Sequence, residues 1–120
     1  MKEMSVEAVA EILKIETLIS PLSDKIIVRT DEAKAIEENG NYKPYDPRKE
    51  KNYVSATIIS IGKLAATESG LKVGQRIGMR HAGGSLIDKV ITKENSVVGS
   101  VNIIFFISMG FKDPLVILND

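Results

Sequence analysis

Leu22-Ser23-Asp24-Lys25-Ile26-Ile27-Val28-Arg29 decides the fold of this chain, together with a second stretch about halfway along, Leu71-Lys72-Val73-Gly74-Gln75-Arg76-Ile77. The first reads as a β-branched strand entered through Pro21, because proline fixes its own φ and holds the residue before it extended. The second reads as a turn feeding a strand, with Gly70 and Gly74 bracketing Leu71-Lys72-Val73. The same pattern recurs outward from these two points. Val54, Ala56 and Ile58 alternate with Ser55, Thr57 and Ile59 until Gly62, while Ile77 and Met79 share one strand face and Arg76 and Arg80 the other. Residues 86–91 and 97–107 read as a hairpin around Lys93-Glu94-Asn95. Within it the unbroken run Ile103-Ile104-Phe105-Phe106-Ile107 suits a strand covered on both faces. Gly110 and Pro114 isolate a last strand. Short strands at regular spacing with glycine turns predict an all-β domain, a small β-barrel.

The first 17 residues differ. Ser5 is an N-cap, and Val6, Val9, Ala10 and Leu13 follow at i, i+3, i+4 and i+7, with Glu3, Glu7, Glu11 and Lys14 outside that stripe. This predicts a short amphipathic helix as an N-terminal extension over 1–17, before a barrel domain over 18–120. So short a helix is marginal alone in water, so its stripe must lie against this domain or against another chain. Residues 31–52 carry Gly40, Pro44, Pro47 and eleven charged residues. They read as a long polar loop that buries too little apolar surface to offset its ordering entropy. Within it Ile36, Tyr42 and Tyr45 are the candidates for contact with a partner, since tyrosine supplies large contact area at low entropic cost.

In order and separation, Pro21 to Arg29 and the Leu71-Lys72-Val73-Gly74 turn resemble the bacterial co-chaperonin (GroES-like) family. Its small barrel opens with a Pro-Leu-x-Asp-Lys/Arg-Val-x-Val strand and later carries a Lys-Val-Gly-Asp turn. The segment 56–62 is similar to the family's second main strand and 114–118 to its closing strand. The resemblance implies a GroES-like barrel with residues 31–52 as the mobile loop that seizes a chaperonin. The family's loop binds through a glycine followed by three large aliphatic residues, and no aliphatic triplet exists here between Asp31 and Asn52. Where the family has a long roof hairpin this chain has only residues 63–71, and the N-terminal helix is an addition.

Composition removes several classes of activity. Lys and Arg number 16 against 16 Asp and Glu in 120 residues, so no overall field gathers nucleic acid or anionic lipid. Cysteine is absent, which excludes disulfides, thiolate metal sites and thiol catalysis. His81 is the single histidine and builds no multi-histidine metal site. Residues 78–85 nearly spell a phosphate-binding loop, yet Gly84 stands where the lysine belongs. Aromatics are 5% of the chain, and three of six lie away from Lys25, Arg29, Arg76 and Arg80, which weakens a base-stacking groove. The N-terminus has no signal-peptide pattern, and the apolar run 97–109 is too short and interrupted to span a bilayer. No catalytic residue, metal or cofactor is assigned, and neither nucleic acid nor membrane is expected as a partner.

The expectation is therefore binding without bond chemistry, in the cytoplasm or in a particle assembled there. The favoured reading is a structural or adaptor subunit on a GroES-like barrel. It would form a homo-oligomer and dock on a larger assembly, such as a phage particle or capsid, through Val6, Val9 and Leu13, with Ile36, Tyr42 and Tyr45 as loop contacts. The alternative is a co-chaperonin whose ring caps a chaperonin folding chamber.

Overall fold

The computed structural model describes residues 5–38, 41–44, 53–80, 83–94 and 99–119. Among them the order is α1 (Val6–Leu18), β1 (Lys25–Thr30), β2 (Ala33–Glu38), β3 (Asn41–Pro44), β4 (Val54–Ile61), α2 (Lys63–Ser69), β5 (Arg76–Met79), β6 (Ser85–Glu94), β7 (Ser100–Gly110) and β8 (Val116–Ile117). The strands form one antiparallel sheet that curls into a half-barrel, in the order β3-β2-β7-β1-β4-β5-β8, with β6 on the free edge of β7.

β7 organises this sheet because it is long enough to serve two neighbours end to end. Eleven residues span about 37 Å. Along one edge Ser100 to Ile103 pair with β2 and Phe106 to Gly110 pair with β1, while β6 runs along the other edge from Val101 to Ser108. Phe105 falls in the gap between the β1 and β2 pairings. Its N–H donates to the Thr30 hydroxyl at 2.9 Å, so a side chain fills the missing rung.

Two apolar layers lie on opposite faces of the sheet. Inside the curl, Ile26, Val28, Ala56, Ile58, Ile77, Met79 and Met109 pack together with Ala65 of α2. On the outside, Val90, Ile104 and Phe106 pack under Ala8, Ile12 and Ile15 of α1. The alternation along β7 sends Ile104 and Phe106 to one layer and Ile107 and Met109 to the other. The expectation of a strand covered on both faces holds for this segment.

Two expected loops carry regular structure instead. Within 31–52, residues 33–38 and 41–44 form β2 and β3, paired Ala35 with Pro44 through Glu38 with Asn41, so the long-loop reading is corrected there. The polar composition misleads because β7 outruns β1 and its remaining edge takes β2. Residues 63–69, read as a reduced roof hairpin, are α2, which ends at Gly70 with φ 74°. Its entry is tight: a Cβ on Gly62 would lie 2.1 Å from the Leu22 carbonyl oxygen. The first helix also runs further than expected, to Leu18. Among the described residues no helix is long and apolar enough to cross a membrane.

Candidate docking surface

α1 carries two apolar faces, and its own sheet takes only one. Ser5 starts the helix, its Oγ accepting from the Ala8 N–H at 3.1 Å, and Glu7 in the first turn suits the positive end of the helix dipole. Ala8, Ile12 and Ile15 recur at i, i+4 and i+7 and point inward onto Val90, Ile104 and Phe106, with Ile19 and Ile59 at the margin. An ion pair from the Arg29 guanidinium on β1 to the Glu16 carboxylate fixes the same flank of the helix to the sheet.

Val6, Val9 and Leu13 face the other way. They are 81%, 43% and 59% exposed, against 6% for Ile12 one position before Leu13. At 100° per residue the three lie within about 60° of one another, roughly 125° round from the buried stripe. Of the two sites open to this stripe, its own domain and another chain, the own-domain option is overturned: the heavier isoleucines already occupy the sheet. Covering one such side chain stabilises by about 1.5 to 3 kcal/mol, so the outward stripe can hold a partner.

The other sequence-derived contacts are not gathered at this stripe. Ile36 stands on β2 between Lys43 and Ser100 and is 36% exposed. Tyr42 stands on β3 opposite Glu37, its side chain outside the described residues, and Tyr45 and His81 lie outside them altogether. Asp24 lies 3.9 Å from the Lys25 ammonium, as a polar strand entrance implies.

Sequence reasoning passed over apolar groups on β6. Leu86 and Ile87 are 58% and 39% exposed, where a bulge sets both against Ile107. Two adjacent apolar residues at a strand start were the available signal, since strict alternation cannot place both inside.

An open cleft of about 460 Å³ lies on the α1 side of the sheet, lined among others by Arg29, Asp31, Glu32, Lys34, Thr57 and Arg76. The registers put Arg29, Thr57 and Arg76 in one cross-strand row. Its charges are spoken for: Arg76 forks onto both Asp31 oxygens at 2.7 and 2.9 Å, Arg29 holds Glu16, and the Thr92 hydroxyl donates to Glu32. The row ties the helix and the corner after β1 to the sheet. Among the described residues no three His, Cys, Asp or Glu groups converge as a metal site.

No protein-family model matches this chain, and no curated protein matches it either.

Proposed function

We propose that this chain is a non-enzymatic structural or adaptor subunit that joins a larger protein assembly through the outward face of α1. The observation that supports this reading is the double-sided helix, which keeps Val6, Val9 and Leu13 in solvent although three isoleucine-sized or smaller residues suffice to seat it. Continuing the stripe as polar residues would leave the domain intact, so three exposed anchors within about two turns are better explained by a surface that meets another protein.

The co-chaperonin reading depends on an extended loop over 31–52, and residues 33–38 and 41–44 are engaged in β2 and β3. The subunit reading is therefore the one carried forward. Its test is replacement of Val6, Val9 and Leu13 by serine together. The variant should keep its unfolding free energy to within about 0.5 kcal/mol per exposed substitution, yet fail to copurify with the native assembly. Undiminished copurification would remove the proposal.

A further inference from the structure

α1 is joined to the sheet by side chains alone. Among the described residues its main-chain hydrogen bonds stay within the helix and its caps, and its one polar contact with the sheet is the pair from Arg29 to Glu16. The rest of the seat is Ala8, Ile12 and Ile15 on Val90, Ile104 and Phe106. Because the helix precedes β1 in the chain, lifting it off breaks no rung of the strand ladder.

Without that seat the helix does not hold its shape. Its 13 residues are few for a helix in water, and Val6, Val9, Ile12 and Ile15 lose side-chain freedom in one. Glu7 and Glu11, both exposed, form a like-charge pair four residues apart, which Lys14 offsets three residues after Glu11. Glu16 stands in the last turn, where the negative end of the helix dipole disfavours a carboxylate, and no basic residue of the helix stands there with it. The Arg29 guanidinium supplies the missing positive charge, and it does so only when the helix lies on the sheet.

We propose that α1 is a conditional element, opening from the sheet as one unit and melting as it opens, so that its outward face exists only while Ile12 and Ile15 are seated and Arg29 holds Glu16. Val6, Val9 and Leu13 share a face only on a formed helix. A partner that grips all three therefore meets a chain whose β6 and β7 are already in place, since Val90, Ile104 and Phe106 make the seat. The apparent affinity for that partner scales with the seated fraction. The inference rests on the reading of this face as a docking surface and adds what controls its presentation.

Amide hydrogen exchange of the full chain, followed residue by residue, tests it. The amides of Ala10 to Leu18 should exchange by local opening, faster than those of Ile104 and Phe106 in β7. Thr30→Val, which weakens the sheet and not the seat, should speed the two β7 amides about fivefold or more and leave the α1 amides within about twofold of the parent. Arg29→Gln should speed the α1 amides about tenfold, and Glu16→Gln by less, because it removes the disfavoured carboxylate together with the ion pair. Replacing Ile12 and Ile15 together by alanine should leave the α1 amides unprotected and the β7 amides protected. It should also cut copurification with the native assembly at least about tenfold, although Val6, Val9 and Leu13 are intact. α1 amides that follow β7 in Thr30→Val, α1 amides unmoved by Arg29→Gln, or a sheet that unfolds with the double alanine variant would overturn the proposal. If the double variant copurifies at the parent's level while serine at Val6, Val9 and Leu13 abolishes copurification, control by seating falls and the docking face stands. If those three serines leave copurification undiminished, both fall.

Discussion

Thr30 and Gly62 show how single positions hold this sheet together. Thr30 is buried, and its hydroxyl receives the Phe105 N–H at the point where β7 passes from β1 to β2. Valine there keeps the shape and removes the acceptor, leaving a main-chain donor unpaired. Thr30→Val should cost about 1 to 3 kcal/mol in urea unfolding, while Thr30→Ser, which keeps the oxygen, should cost less. Gly62 is demanded by proximity and not by φ. The Leu22 and Ser23 carbonyls pass so close that a Cβ meets oxygens at 2.1 and 2.5 Å. Ser23 O accepts the Ala65 N–H at 2.9 Å, which locks that passage in place. Gly62→Ala should therefore destabilise by about 3 kcal/mol or more, whereas Gly70→Ala, strained in φ but with open space around its Cβ, should lose only about 1 kcal/mol. Equal losses at the two glycines would refute the packing argument.

Among the elements, α1 gives the sharpest contrast. Ile12 and Leu13 are neighbours of equal volume on opposite sides of one helix. Ile12→Ala should lose about 2 to 4 kcal/mol because it opens the layer beneath the helix, and Leu13→Ala should change stability by no more than about 0.5 kcal/mol. Thermal or urea melts of the two variants decide this directly. The pair also shows where sequence stopped being informative. Both stripes of α1 repeat near 3.6 residues, so periodicity locates two apolar faces without saying which one the sheet takes; Val6, Val9 and Leu13 were legible as a surface, their outward direction was not. The strands 25–30, 54–61, 76–79 and the 85–94/100–110 hairpin were legible because alternation and glycine stops marked them. α2 was missed although Leu64, Ala65, Ala66 and Glu68 are strong helix formers between two glycines. β2 and β3 were hidden because charged residues dominate them, and what pulls them into the sheet is the spare length of β7, a tertiary cause that no local pattern displays.

At the scale of the whole molecule, one strand carries both apolar layers. Ile104 and Phe106 lie under α1, Ile107 and Met109 border the interior, and three other strands hydrogen-bond to β7. Its amides from Ile103 to Phe106 should exchange with deuterium only through global unfolding, while Val116 and Ile117 of β8, two residues at the far edge, should exchange by local opening. Matching protection in β7 and β8 would contradict this hierarchy.

The forked strand also sets a timetable for biosynthesis. Thr30 waits for Phe105, made 75 residues later, and β1 and β2 share no finished neighbour until that segment has left the ribosome. Through most of translation Ile12 and Ile15 have nothing to rest upon. A chain truncated before residue 100 should therefore keep Ile12 and Ile15 exposed, because Ile104 and Phe106 are never made to cover them.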